Sequence, residues 1–206
     1  MDNDRLHKLV NKLIVATDPA EVVSLYSDWA EHYDSDLDEF GYVAPQLATD
    51  AFMPMLENTN ALIYDAGCGT GIVGKFLGEQ GYNNIVGADF SDEMRKLAES
   101  IDAYIRLEYA DYGKAVDIKS ATYDAVISVG VYTARFKGVF LREMLRILKP
   151  GCPFLFSCRP HYYEGDVEPQ IKALQRDGLI ASVDIKDKPY MLKQQANAFY
   201  ITLYKQ

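Results

Sequence analysis

Cysteine is scarce: Cys68, Cys152 and Cys158 are the only three among 206 residues. An odd, small set does not make a disulfide framework, so reduced thiols in a cytoplasmic compartment are expected. Histidine is as rare, with His7, His32 and His161. No His/Cys cluster has metal-ligand spacing, and no metal is expected. Positive charge is in deficit: 21 Lys and Arg stand against 30 Asp and Glu, a net charge of -9. Nucleic-acid binding needs basic surface to displace counterions, so DNA and RNA are not expected partners. No long uncharged apolar run occurs, and no membrane span is expected. The opening residues, Met1-Asp2-Asn3-Asp4, are acidic and unlike a signal or transit peptide. Repeats, low-complexity tracts and domain linkers are missing too. That leaves one domain over residues 1–206.

What is present is a globular composition, 49% hydrophobic and 25% charged. The chain is organised around residues 61–71, Ala-Leu-Ile-Tyr-Asp-Ala-Gly-Cys-Gly-Thr-Gly. The apolar run up to Asp65 predicts a buried strand. Gly67, Gly69 and Gly71 predict a sharp turn whose backbone lies close to something. Ile72, Val73, Phe76 and Leu77 have helical spacing, and Gly81 is a helix stop. A strand, a bare turn and a helix start together aim free N–H groups at a ligand.

Three glycine-loop readings compete. Gly69, Gly74 and Lys75 have phosphate-loop spacing, but Phe76 stands where a hydroxyl should reach Mg²⁺. Gly69, Gly71 and Gly74 fit the dinucleotide fingerprint, whose third glycine allows close helix–strand packing. The third reading adds Asp65. A carboxylate at the strand end would repel a pyrophosphate and suits a ligand carrying an ammonium or sulfonium.

In chain order, Leu6, Leu9, Val10, Leu13 and Ile14 share one face of a first helix. Asp18 and Pro19 open a second helix carrying Tyr26, Trp29 and Tyr33 on one face. This stripe reads equally as core and as a lid. A further helix covers residues 46–56. Strands follow over 84–89, 103–109, 123–130 and 152–157, with helices over 92–100 and 137–148 between them. Asp89 lies about 20 residues beyond the glycines, where an acid accepts ribose hydroxyls. Phe90 would then face an adenine, while Ser91 caps the next helix. Ile171, Ala173 and Leu174 mark another helix. Two strands, 180–185 and 199–204, close the chain, joined by about a dozen loop residues including Pro189. With no helix between them they should pair antiparallel. Alternating strands and helices imply right-handed parallel crossovers.

The words Asp65-Ala66-Gly67-Cys68-Gly69-Thr70-Gly71, Asp89, Ala110-Asp111 and Lys149-Pro150-Gly151 resemble the class I S-adenosylmethionine-dependent methyltransferases. Residues 26–34, Ala44-Pro45, Val129-Gly130-Val131-Tyr132 and Cys158-Arg159-Pro160 are similar to the small methyltransferases related to the Williams–Beuren syndrome region protein. The resemblance implies an α/β, three-layer Rossmann-like fold, with a seven-stranded, mostly parallel sheet and an antiparallel last strand. It implies S-adenosylmethionine as cofactor, S-adenosylhomocysteine as product, and a helical lid over residues 1–56 on a core of 61–206. The implied cofactor contacts are Tyr26, Trp29, Tyr33, Asp65, Ala66, Gly67, Gly69, Gly71, Asp89, Phe90, Met94, Ala110, Asp111, Tyr112 and Val129. Asp111 would accept from the adenine amino group. Acidic charge favours a small-molecule acceptor, on a monomer or homodimer. If the acceptor must lose a proton, His161, beyond the fifth strand, is the candidate base. Tyr132 and the loop 158–163 should border the acceptor. An NAD-dependent oxidoreductase and a non-catalytic S-adenosylmethionine-binding module are the alternatives.

Overall fold

The computed structural model describes residues 18–136 and 138–206, together with Leu9, Lys12, Leu13 and Ala16. The predicted first-helix positions Leu6, Val10 and Ile14 lie outside the described residues, as do His7 and Lys137.

Seven strands form one sheet in the order β3-β2-β1-β4-β5-β7-β6. They are β1 (Ile63–Ala66), β2 (Ile85–Asp89), β3 (Tyr104–Tyr109), β4 (Ala125–Ser128), β5 (Pro153–Cys158), β6 (Ile180–Met191) and β7 (Ala196–Lys205). β1 to β5 pair in parallel, while β7 runs antiparallel to both β5 and β6. The order reverses at β1 and β4, so a crevice opens beyond their carboxyl ends, where ligands of such sheets sit. A nicotinamide domain would instead continue with a sixth parallel strand.

The central strands are buried on both faces, as an internal parallel sheet requires. Side chains alternate between two cores. Tyr64, Val86, Val126, Phe154 and Ile201 belong to one, with Phe140, Leu141 and Met144 of helix α6 (Val139–Ile147) and Ile171 and Leu174 of α7 (Glu168–Arg176). Ile63, Ile85, Ile127 and Leu155 belong to the other. There they meet α1 (Pro19–Trp29), α2 (Tyr33–Glu39), α3 (Ala44–Phe52) and α4 (Ile72–Gly78). Helix α5 (Asp92–Ala98) follows β2 and is capped by the Ser91 hydroxyl, as expected. No helix among the described residues is long and apolar enough to cross a membrane.

One expectation fails. The dozen-residue loop between the last strands does not exist: β6 runs on to Met191, and only residues 192–195 turn. β6 is the outermost strand, so its outer face is solvated and Lys186, Asp187 and Lys188 read as loop. Pro189 is tolerated because an outermost strand has no second neighbour to receive its missing N–H.

Candidate functional site

The glycine turn is built by its neighbours. Gly67, Gly69 and Gly71 all have positive φ, at 78°, 53° and 92°. The N–H groups of Gly67 and Cys68 both donate to the Ala88 carbonyl, at 2.7 and 3.0 Å. A Cβ on Gly67 would fall 2.3 Å from Val131 Cγ2, so only glycine fits. A Cβ on Gly69 would meet nothing within 4 Å. This part of the turn faces open space.

Two acids flank the turn. Asp65 is wholly buried and accepts the Tyr104 hydroxyl on Oδ2 at 2.6 Å. Its Oδ1 has no hydrogen-bond partner among the described residues. Burial pushes its carboxyl up to about 7, against the pull of the Tyr104 bond, and nearby Asp89 adds to the rise. Asp89 accepts from Gly69 N at 3.0 Å and Ser91 N at 2.9 Å, one on each oxygen. Burial raises its carboxyl too, and these backbone bonds oppose it. Asp89 thus acts as a cap, but each oxygen keeps a lone pair for a further donor.

A cavity of about 770 Å³ opens beside these groups. Gly67, Gly69, Asp89, Phe90, Met94 and Tyr112 line it, with Tyr26, Tyr33 and Val129. Asp65, Ala66, Gly71, Ala110 and Asp111 stand outside its lining. Asp111 accepts from Gly113 N and lies 3.4 Å from the Arg135 guanidinium. Sequence reasoning missed Arg135, whose Cζ is 5.6 Å from the centre of the Phe90 ring. It also missed Thr133 and Phe136 as lining residues. All three follow β4, and their place beyond the carboxyl end of a central strand was the available signal.

The aromatic segment packs over this cavity. Tyr26 meets Phe90 edge-on at 5.9 Å. Ser27 donates to Glu93 at 2.9 Å, and Thr70 of the glycine turn donates to Asp34 at 2.7 Å. Trp29 is only 6% exposed, donates through Nε1 to buried Asp36 at 2.8 Å, and does not line the first cavity.

Trp29 lines a second cavity instead, of about 640 Å³. Leu13, Tyr26, Tyr33, Gly130 and Thr133 are common to both. Its other walls include Tyr42, Tyr132, Arg159, Tyr162 and Tyr190. The Tyr132 hydroxyl donates to Asp166 and accepts from Gln170, both at 2.8 Å. His161 sits on the exposed turn Pro160–Tyr162 and lines neither cavity. Burial, then the charge of Arg159, lowers its pKa. Among the described residues no group of three or more His, Cys, Asp or Glu could hold a metal ion.

The first cavity offers a buried carboxylate for vicinal hydroxyls, an apolar slot at Phe90 and Met94 for a flat base, and an open glycine turn for a tail. The empty space at Gly69 leaves room for a ligand tail, and the orphaned Asp65 oxygen, two residues before Gly67 and outside the lining, is a polar atom that a cationic group would satisfy.

Comparison with known proteins agrees. The family described as a methyltransferase domain matches residues 63–151. Methyltransferase-like protein 27 of Homo sapiens is 30% identical over 169 residues, covering 79% of this chain and 69% of that protein. A TehB-like SAM-dependent methyltransferase from Corynebacterium glutamicum superposes with a TM-score of 0.64 at 17% identity, covering 92% of this chain and all of that one. An S-adenosylmethionine-dependent methyltransferase from Mesorhizobium loti superposes at 0.57 with 18% identity, covering 75% and 96%.

Proposed function

Because the chain belongs to the class I S-adenosylmethionine-dependent methyltransferases, we propose that it methylates a small molecule held in the second cavity. The observation that carries this reading is the wall of Leu13, Tyr26, Tyr33, Gly130 and Thr133 shared by the two cavities. One chamber suits the cofactor, and the other touches it beyond the carboxyl ends of the strands.

When bound, S-adenosylmethionine supplies a sulfonium methyl open to displacement by a lone pair in line with it. The chain's own residues bind, orient and exclude water. The turn, open at Gly69, would hold the methionine tail. Asp89 would accept the ribose hydroxyls through its remaining lone pairs. Phe90, with Arg135 over its ring, and Met94 would flank the adenine. Asp111, paired with Arg135, would accept from the adenine amino group. Tyr26 and Tyr33 close the cavity from above, keeping water from the reacting atoms. Burial holds the phenols of Tyr33 and Tyr42 well above their ordinary range, which disfavours either as a base. The alternative base, His161, would have to move from its exposed turn.

The net charge of -9 supports a small molecule over nucleic acid. The free thiols of Cys68, Cys152 and Cys158 support a cytoplasmic setting. Calorimetry with S-adenosylmethionine, S-adenosylhomocysteine and NAD, followed by a labelled-methyl screen of metabolites, proteins and RNA, tests the proposal. The sulfur ligands should bind and NAD should not. Label found in protein or RNA alone would reject a small-molecule acceptor.

A further inference from the structure

We propose that the acceptor is a small aromatic acid whose carboxylate is read by Arg159. This rests on the second cavity being the acceptor chamber. Arg159 is the only charged side chain among the described residues lining that chamber. Arg95, Arg106, Arg135, Arg142 and Arg146 each pair with a carboxylate. Arg159 and Arg176 do not: among the described residues no carboxylate lies within ion-pair distance of either, and of the two only Arg159 is half-buried, Arg176 being exposed. In a chain with nine surplus negative charges, an unpaired and half-buried guanidinium is out of place unless something else supplies the anion.

Its position is fixed by the fold. Arg159 directly follows β5, on extended backbone at the start of the Pro160–Tyr162 turn. Its Cζ lies 5.8 Å from the centre of the Tyr190 ring. Its charge opposes the burial-driven rise of the neighbouring Tyr190 and Tyr162 phenols.

Tyr190 in turn meets Tyr42 edge-on, ring centres 5.0 Å apart, so the guanidinium and this ring pair form one continuous wall. Both hydroxyls press on Gly130: a Cβ there would lie 2.6 Å from the Tyr42 oxygen and 3.2 Å from that of Tyr190. Gly130 belongs to both cavities, so this pair stands where acceptor and cofactor meet. The chamber is walled largely by rings, those of Tyr42, Tyr132 and Tyr190 among them. Ring walls favour a flat, apolar body with offset or edge-on contacts. Such a body can place a carboxylate on Arg159 and a nucleophile beside Gly130.

An aromatic chamber also attracts ammonium groups. Arg159 argues against that occupant, because a second cation would be buried beside the first.

The test uses protein loaded with S-adenosylhomocysteine. Salicylate, cinnamate and indoleacetate, each beside its carboxamide, and tyramine are titrated by calorimetry into the wild type, Arg159→Gln and Arg159→Lys. Acids should bind the wild type at least about tenfold more tightly than their amides, the scale of a charged hydrogen bond. Arg159→Gln should abolish that preference and Arg159→Lys should keep part of it. S-adenosylhomocysteine affinity should stay unchanged in both. Equal binding of acids and amides, a preference for tyramine, acid preference surviving in Arg159→Gln, or failure of every acid to bind overturns the proposal. Failure of the wild type to bind S-adenosylhomocysteine would instead remove the methyltransferase reading beneath it.

Discussion

Tyr104 holds Asp65 by one oxygen and leaves the other without a partner. The tyrosine reaches this carboxylate from β3 by passing between glycines. A Cβ on Gly74 would lie 2.3 Å from its Cζ, and one on Gly87 would lie 2.8 Å from Cε1. Gly74 N donates back to the hydroxyl at 3.2 Å. Gly74 is the third glycine of the dinucleotide-like spacing, and here the space it clears is filled by a side chain.

The first prediction concerns pH. Asp65 titrates near 7 in the folded protein, against an ordinary 3.8. Between these values the folded state holds a proton that the unfolded chain has released. Stability from this group is therefore full below the ordinary value and falls as pH rises through 7. The difference corresponds to about 4 kcal/mol at most. Urea midpoints should drop between about pH 5 and pH 8, and Asp65→Asn should flatten the drop. An unchanged slope in the variant would assign the effect to another group.

Gly74→Ala should destabilise. Alanine normally improves a helix interior by about 0.5–1 kcal/mol over glycine. Here the added methyl strikes the Tyr104 ring, and overpacking costs about 1–3 kcal/mol. Denaturation of Gly74→Ala alone and combined with Tyr104→Ala decides the cause. The penalty should vanish in the double variant; if it persists, Tyr104 is not the obstacle.

Asp89→Asn leaves one carbonyl oxygen for the two N–H groups of Gly69 and Ser91. It also gives up an anionic acceptor for the ribose. S-adenosylhomocysteine should bind about tenfold to a hundredfold more weakly, with a smaller loss of thermal stability. Intact affinity beside a lowered melting temperature would make Asp89 a cap and nothing more.

Thr70→Val removes the bond from the glycine turn to Asp34. Asp34 is exposed, so no buried charge is stranded. The stability cost should be about 1 kcal/mol. Release of the aromatic segment should speed hydrogen exchange over residues 26–33 and shift Trp29 emission to the red, with S-adenosylhomocysteine reversing both. Identical exchange in variant and wild type would identify the stripe as fixed core.

The sequence made legible what is local. The turn after β1, the Ser91 cap and the alternation of β7 each depend on residues a few positions apart. Tyr104 was not legible as a partner of Asp65, because the contact joins residues 39 positions apart and begins on an outer strand. Trp29 shares a helix face with Tyr26 and Tyr33, yet its indole is turned to Asp36 and the second cavity, a direction that helix spacing does not reveal. Arg135 looked like an ordinary surface cation until folding set it beside Phe90 and Asp111. The second cavity draws walls from both ends of the chain, and no window of sequence contains it.

That last arrangement divides the molecule by inheritance. Residues 63–151, which match the methyltransferase domain, contain Gly67, Gly69, Asp89 and Phe90 but only Gly130, Tyr132 and Thr133 of the second chamber. Tyr42 comes before that block, and Arg159 and Tyr190 come after it. The flanks are sewn together by Val43 N donating to Tyr190 O at 3.1 Å and Leu192 N to Gly41 O at 3.0 Å. The two chambers are thus built unequally: the matched block supplies most of the first, the flanking segments supply most of the second, and Leu13, Tyr26 and Tyr33 of the leading flank wall both.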